Sequence, residues 1–529
     1  MTLNLPRPGA PWDGNPPLNL ARWCLQRHAE DPESAGRLAF TFVHEGGDTE
    51  SWTYAQVWER VQRLARGLLA GGLEPGDRVL VRLPHSPDYA FAFFSATLAG
   101  LVPIPASPLL TAEEATFLGE DAQATALITT WELRLDDFEG ATLLPGDLDM
   151  LDGPGPLPET HAEDPAFLIY TSGTTDRPKG AVHAHRTVHG RAMMREGWQD
   201  FRPTDITLHA GTLNWSYTLG VGLMDPWAAG AHAVLAGGAS TPDRWPALIR
   251  DLGVTIFVAV PTVYRQMLKY ARPEDAGGTL RHVLCAGEPL SPVLLAEWQK
   301  RVGTPMYESL GMTEVSTYIT SGPQTPTRPG TPGRPQPGRR VAILPVEDDG
   351  TPASTTPLPA GEIGLLAVHR SDPGLMLGYW RRPDEDAAVA RGEWFTGGDL
   401  STLDADGYLW FHGRADDVIK SFGYRLSPVE IEHTIEAFPA VSEAAVVAHH
   451  VDEMKTLVTA CLVPREGQTL DAAAIAALRA HVAQHLAEYK RPHEYVVVEA
   501  LPRTRNGKLL RRALIEQIET QDQNEGGRG

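Results

Sequence analysis

Between residues 57 and 129 the chain alternates at short intervals between helical periodicity and strand-like apolar runs, and few architectures accommodate that alternation. Val57, Val61, Leu64 and Leu68 recur at helical spacing, and Gly71-Gly72 closes the segment. Pro75-Gly76 turns the chain into a strand-like run over residues 78–83. Residues 89–101 are an apolar segment, 102–105 read as a strand, 111–120 as a helix capped by Thr111, and 124–129 as a buried strand. Strands separated by helices imply a parallel sheet with helices on its faces. The β-rich runs at 255–260 and 281–286, each ending in a Pro or Gly loop, extend the pattern. Ligands of such sheets gather at the carboxyl ends of the strands.

Residues 324–359 are crowded with Pro, Gly and Thr and read as turns and short strands. A boundary is expected near Arg414-Ala415-Asp416. Beyond it, Ser427-Pro428-Val429-Glu430 has the Ser-x-x-Glu form of a helix start with Pro at the first helical position. Strands are expected at 441–448, 456–463 and 495–499 and a helix at 471–485, a compact α+β unit. The expected fold class is therefore α/β: a large N-terminal region of layered α/β subdomains, residues 1–415, and a small α+β C-terminal domain, residues 416–529.

Composition narrows the function. The 529 residues carry 46 Lys and Arg against 67 Asp and Glu, a formal net charge of −21, which argues against a nucleic-acid binder and an anionic membrane surface. It leaves anionic small ligands open, because a pocket can be locally positive. Cys24, Cys285 and Cys461 are odd in number and far apart, so neither a disulfide framework nor a zinc site is indicated. Prolines occupy residues 1–17 where a signal peptide needs an apolar run, and no stretch of about 18 apolar residues occurs. A cytoplasmic protein is expected.

The most informative segment is Tyr170-Thr171-Ser172-Gly173-Thr174-Thr175-Asp176-Arg177-Pro178-Lys179-Gly180, directly after the apolar run 166–170. Hydroxyls, glycine and exposed backbone N–H groups in a tight loop offer many donors to phosphate oxygens. The Walker pattern needs two glycines five apart followed by Lys-Ser/Thr. The residue five after Gly173 is Pro178, so this is a phosphate loop of another kind. His183, His185 and His189 follow without a metal-ligand pattern and read as packing or helix-surface residues. Cys285 reads as a buried structural cysteine.

Here the chain resembles the adenylate-forming superfamily of acyl- and aryl-CoA ligases, luciferases and peptide-synthetase adenylation domains, closest to benzoate-type and medium-chain acyl-CoA ligases. The further motifs follow in order over about residues 50–512. Gly287-Glu288-Pro289 resembles the turn that lines the adenine pocket, and Glu308-Ser309-Leu310-Gly311-Met312-Thr313-Glu314 the aromatic-Gly-x-Thr-Glu motif. Thr396-Gly397-Gly398-Asp399 resembles Thr-Gly-Asp, Gly413-Arg414-Ala415-Asp416-Asp417 the hinge, and Pro502-Arg503-Thr504-Arg505-Asn506-Gly507-Lys508 the loop of the catalytic lysine.

The resemblance implies an ATP- and acid-binding N-terminal domain and a mobile C-terminal domain, with ATP, Mg²⁺ and coenzyme A as cofactors. Glu314 would ligate Mg²⁺. Thr171, Ser172, Gly173, Thr174, Thr175 and Thr313 would hold phosphate oxygens, with Lys179 contacting phosphate or closing the loop. Asp399 would accept from ribose hydroxyls beside Arg414. Lys508 would stabilise the charge that develops as a carboxylate attacks the α-phosphate. Domain alternation about Asp416 would bring Gly423 to the pantetheine tunnel and Arg425 to phosphate.

Two residues depart from the family pattern. Asp176 stands where glycine is usual, and Leu310 replaces the aromatic that stacks on adenine, a contact worth about 1 kcal/mol. Weaker nucleotide binding is expected from both.

The acyl pocket is expected from residues 212–220, with Trp215, Ser216 and Tyr217, and from Gly311 and Val315. Trp215 and Tyr217 either face a cavity, one of them at least, or are both core aromatics; the pattern leaves this open. The expected activity is AMP-forming ligation of an aromatic or medium-chain acid to CoA. The alternatives are a free-standing adenylation enzyme that loads a carrier protein and a catalytically impaired nucleotide-binding homologue. The expected partners are the acid, ATP and CoA, with no nucleic acid and no membrane; a homodimer is left open.

Overall fold

The computed structural model describes residues 14–171, 178–238, 241–347, 351–415, 419–421, 424–426, 428–452, 455–503, 509–511 and 513–518. Packing divides the chain into two units: residues 1–290, 294–341 and 368–395, and residues 291–293, 342–367 and 396–529.

The first unit opens with strands β1 (Leu38–Val43) and β2 (Thr49–Thr53) and helix α1 (Tyr54–Ala70). Thr53 accepts from the Gln56 N–H while Gln56 reaches back to the Thr53 N–H, a capping box that fixes the start of α1. Val57, Val61, Leu64 and Leu68 form its buried stripe, and Gly71 follows its last turn. Strand β3 (Arg78–Arg82), helix α2 (Pro87–Leu98), strand β4 (Val102–Pro105), helix α3 (Ala112–Ala122) and strands β5 (Ala126–Thr129) and β6 (Ala141–Leu143) come next. They give a parallel sheet in the order β4-β3-β5-β6. Every residue of helix α2 except Asp88 in its first turn is buried. Thr111 and Glu114 form a second capping box at α3.

Strands β7 (Pro165–Thr171) and β8 (Lys179–Ala184) pair antiparallel on either side of residues 172–178; helix α4 (Thr187–Met194) follows. Strands β9 (Ile206–His209), β10 (His232–Ala236) and β11 (Ile256–Ala259), helix α5 (Pro261–Tyr270), and strands β12 (His282–Ala286), β13 (Met306–Met312), β14 (Ser316–Thr320) and β15 (Arg334–Pro335) complete a nine-stranded sheet. Its order is β15-β14-β13-β12-β11-β9-β10-β1-β2. The run from β1 to β13 is parallel, and the outer pairs are antiparallel. Strand β16 (Gly378–Tyr379) adds to β8. His183 stacks on Phe167 and His185 accepts from the Leu20 N–H, both buried, while the half-buried His189 packs edge-on against Trp23.

Strand β17 (Trp394–Leu403), in the second unit from Thr396 on, pairs antiparallel with β18 (Leu409–Arg414), which sets Asp399 opposite Arg414. The hairpin β19 (Ile419–Ser421) and β20 (Tyr424–Leu426), helix α6 (Pro428–Glu436), strands β21 (Val441–Asp452) and β22 (Lys455–Pro464), helix α7 (Ala472–His485) and strand β23 (Glu494–Val497) form the α+β end. Strand β22 pairs antiparallel with β21 and parallel with β23 over a core that includes Ile419, Ile431, Val446, Val458 and Leu478. The large layered α/β region followed by a small α+β domain matches the expected fold class. Cys24, Cys285 and Cys461 are buried, and none forms a disulfide. No helix among the described residues is long and apolar enough to cross a membrane.

Candidate active site

Ser172, Gly173, Thr174 and Thr175, expected to hold phosphate oxygens, lie outside the described residues together with Asp176; the strand ends on either side of them, Thr171 and Lys179, are described. On one side, Tyr170 on β7 donates its hydroxyl to Asp121 Oδ2 at 2.7 Å. Asp121 also pairs with Arg382, and its carbonyl accepts from Trp380 Nε1 at 3.1 Å. The end of α3, the end of β7 and the segment after β16 are thus pinned at one point, next to Thr171.

On the other side, Lys179 opens β8. Its ammonium pairs with Glu385 and sits 5.7 Å from the centre of the Tyr379 ring. The Tyr379 hydroxyl donates to Glu314 Oε1 at 2.7 Å, and its backbone N–H donates to Asp386 Oδ1. Burial, then the neighbouring Glu314, raises the Tyr379 phenol pKa, so the phenol remains a donor at neutral pH. Thr313 precedes Glu314 in the turn after β13. Lys179 and Glu314, with Thr313 next to it in sequence, are thereby linked through the Tyr379 side chain. Tyr379 and Glu385, absent from the sequence-derived set, hold them there.

The next group lies past the carboxyl ends of β9, β12 and β13. Gly287 has φ +88°, and a Cβ there would stand 3.0 Å from the Trp215 ring, so Trp215 covers the Gly287-Glu288-Pro289 turn. Glu288 accepts from the Thr262 N–H and hydroxyl at the start of α5. Glu308 is buried and accepts the Leu290 N–H at 2.8 Å. Burial pushes its carboxyl up to about 8, against the opposing pull of that hydrogen bond. Glu308 therefore fastens the turn to β13 as a largely protonated acid. Ser309 is buried with its hydroxyl on the Ile319 carbonyl, and Leu310 is half-buried opposite Ile319. A Cβ on Gly311 would fall 2.4 Å from the Ser316 carbonyl oxygen, which makes this glycine a packing requirement of the β13–β14 hairpin. Met312 ends β13, and Val315 is buried in the turn that follows.

Within the expected acyl segment, Tyr217 is buried, while Trp215 and Ser216 are half-buried. Tyr217 meets Trp215 edge-on at 5.2 Å and stacks on Trp198 at 6.3 Å. A buried ion pair missed by the sequence reading backs this segment. Arg191 Nε and Nη2 each donate to the Asp225 carboxylate at 2.7 Å, and Gln199 Nε2 adds a third hydrogen bond at 2.6 Å. Arg191 Nη1 donates to Ser316 Oγ at 3.0 Å and so holds a residue with φ +82° two positions after Glu314.

In the second unit, Arg414 Nη1 stands 3.3 Å from Oδ1 of the buried Asp399. Gly398 has φ +84°, and a Cβ there would come within 3.0 Å of Arg414 Nη2. Asp416, Gly423 and Lys508 lie outside the described residues. Arg425 is placed only as a backbone position of β20, opposite Lys420.

The family model described as AMP-binding enzyme matches residues 25–380, and that of the AMP-binding enzyme C-terminal domain matches residues 430–508. The benzoate–CoA ligase of Thauera aromatica is 32% identical over 489 residues, covering 88% of this chain and 90% of that enzyme. The acetyl-coenzyme A synthetase of Bacillus subtilis (strain 168) is 30% identical over 530 residues, covering 94% and 90%. The crystal structure of the anthranilate CoA ligase AuaEII in complex with anthranoyl-AMP aligns with a TM-score of 0.84 at 27% identity, over 95% of this chain and 97% of that one. With the loop flanks, the Thr313-Glu314 turn and both family domains in order, the chain belongs to the AMP-binding enzymes, the adenylate-forming family.

Proposed function

We propose that this chain is an ATP-dependent carboxylic acid–CoA ligase working through an acyl-adenylate. Acid and ATP give acyl-AMP and pyrophosphate; CoA then displaces AMP to give acyl-CoA. The observation that carries the reading is the Glu314–Tyr379–Lys179–Glu385 run beside the phosphate loop, in a chain matched by both domains of the family.

Attack of one anion on another needs charge neutralisation. Among the described residues no cluster of three His, Cys, Asp or Glu side chains forms a metal cage. A single half-buried carboxylate, Glu314, suits Mg²⁺ carried on a triphosphate, which keeps its waters and phosphate ligands. When bound, Mg²⁺ neutralises the phosphates and the charge developing on phosphorus. Tyr379 aims Glu314. Thr313 and the hydroxyls of residues 171–175 donate to phosphate oxygens. Asp399 accepts from the ribose diol with Arg414 beside it. Lys508 brings an ammonium to the attacking carboxylate and the α-phosphate. In the second step the C-terminal domain, residues 416–529, turns about Asp416, with Gly423 passing the pantetheine chain and Arg425 on phosphate.

The acid is aromatic, benzoate-like, or medium-chain, a choice supported by the aromatic pair Trp215 and Tyr217 in the segment expected to form the acyl pocket. A cytoplasmic location fits three buried cysteines in no disulfide.

Pyrophosphate release from an acid panel with ATP and Mg²⁺, run with and without CoA, tests the reading. The expected result is acid-dependent pyrophosphate and a thioester when CoA is supplied. Pyrophosphate without a CoA thioester would instead indicate a carrier-protein loader. No pyrophosphate at all would indicate a nucleotide-binding homologue without catalysis.

A further inference from the structure

Four side chains around the acyl segment, three of them buried and His85 half-buried, each hold one buried polar atom that has no hydrogen-bond partner among the described residues: His85 Nε2, His209 Nε2, the Tyr217 hydroxyl and Thr218 Oγ1. Buried polar groups are nearly always paired, so four orphans in one neighbourhood need an explanation.

These groups are neighbours. The His209 and Tyr217 rings meet edge-on with centroids 4.7 Å apart. A Cβ on Gly211 would fall 2.2 Å from Thr218 Oγ1 and 3.0 Å from His209 Cε1, so the backbone passes against both side chains. His85 accepts the Leu213 N–H on Nδ1 at 3.2 Å. The cluster lies just past the carboxyl end of β9, where ligands of a parallel sheet gather, and beside Trp215.

Its hydrogen-bonding character follows from the partners each ring has. His209 Nδ1 accepts the Gly211 N–H at 2.9 Å, as His85 Nδ1 accepts from Leu213. Burial holds the two imidazoles down to about 3 and about 4, so both are neutral with the hydrogen on Nε2. The neighbourhood therefore presents two N–H donors and two hydroxyls that both donate and accept. A hydroxyl satisfies such a set, because it accepts from an imidazole and donates to Thr218 or Tyr217. A ring amino group donates but accepts poorly, and a methyl group does neither. A second carboxylate would need a cation, and Arg191, packed against Gly220 at the end of the segment, is already engaged by Asp225.

Resting on the acid–CoA ligase reading above, we propose that the acid substrate carries a hydroxyl substituent, a hydroxybenzoate in the aromatic case, and that Thr218, Tyr217 and His209 recognise it. A site built to hydrogen-bond a hydroxyl discriminates strongly against the analogue without one, because its own buried groups are then left unpaired.

The test compares kcat/KM for pyrophosphate release with benzoate, the three hydroxybenzoates, the three methylbenzoates of similar size, and octanoate. At least one hydroxybenzoate is expected to exceed both benzoate and its methyl isostere by on the order of 10²-fold or more. Thr218→Val should lower that ratio at least tenfold. Tyr217→Phe provides a second variant should the first fail to fold, with thermal melting as the check on folding. A merely structural role would lower all acids alike and leave the ratio unmoved. Benzoate, a methylbenzoate or octanoate matching the best hydroxybenzoate would overturn the proposal and leave the ligase reading standing, as would a ratio unmoved by both substitutions. No pyrophosphate from any acid would overturn both.

Discussion

The Tyr379 hydroxyl donates to Glu314 Oε1 at 2.7 Å, joining two residues 65 positions apart. The bond fixes the direction of the carboxylate proposed to meet Mg²⁺, and the Lys179 ammonium over the same ring ties it to the start of β8. Hydrogen bonds to charged groups contribute about 1.5–3 kcal/mol. Tyr379→Phe is therefore expected to lower kcat for pyrophosphate release by about 10-fold or more and to raise the Mg²⁺ concentration at half-activity, with little change in KM for the acid. An Mg²⁺ titration of both proteins checks this; unchanged Mg²⁺ dependence would remove Tyr379 from the site.

Glu308 supplies a pH signature. Its folded pKa of about 8 stands above the ordinary value of 4.5, so between those pH values the folded state holds a proton that the unfolded state has lost. Its contribution to stability is fully present below pH 4.5 and declines by up to about 1.4 kcal/mol per pH unit as pH rises through that window. Glu308→Gln keeps an acceptor for the Leu290 N–H and removes the titration. The variant should gain on wild type in urea melts as pH rises from 5 to 8. Parallel stability curves would show that Glu308 titrates normally.

What was legible in the sequence was local. The stripe of Val57, Val61, Leu64 and Leu68, the Thr111 cap and the β-rich run ending at Ala286 are repeated within a few residues, and the elements follow them closely. The turn around Thr313-Glu314 and the Asp399–Arg414 neighbourhood were reachable as short motifs. Tyr379, the Arg191–Asp225 pair and the His85–His209 neighbourhood were not, because each joins residues distant in sequence that only tertiary packing between different elements brings together. Nothing in the periodicity around Gly378-Tyr379 marks the hydroxyl that would hold Glu314. Gly311 was legible as a motif residue, but its reason, a backbone contact with Ser316, needed the hairpin geometry.

That contact makes Gly311 a sensitive position. An added Cβ would meet the Ser316 carbonyl at 2.4 Å, and both sides of the clash are backbone. Overpacking of this kind costs typically about 1–3 kcal/mol. Gly311→Ala is expected to lower the melting temperature and to reduce pyrophosphate release through displacement of the Thr313-Glu314 turn. A melting temperature equal to wild type would mean that the hairpin adjusts without loss.

The Arg191–Asp225 pair should behave as a buried pair does. Removing one partner strands a charge and costs about 3–5 kcal/mol. Asp225→Asn alone is expected to be strongly destabilising, whereas the double change Arg191→Met with Asp225→Leu should recover much of the loss. A double-mutant cycle in urea measures the coupling; additive single effects would show that the pair is not an energetic unit.

Lys508 decides whether the proposed chemistry is assigned to the right group. An ammonium that meets both the incoming carboxylate and the α-phosphate stabilises a transition state in which charge is being redistributed, and does so more than it stabilises the separated substrates. That contribution belongs to adenylation alone, because phosphate attack is complete before the thiol arrives. Lys508→Ala is therefore expected to slow pyrophosphate release by about 10² or more, the scale for losing one charge-stabilising donor. Supplied with preformed acyl-adenylate and CoA, the same variant should make thioester at close to the wild-type rate. A mere loss of folding would depress both half-reactions together, as would a lysine needed to hold the nucleotide in either step. Measuring the two separately therefore distinguishes a catalytic ammonium from a structural one, and equal losses would take the role away from Lys508.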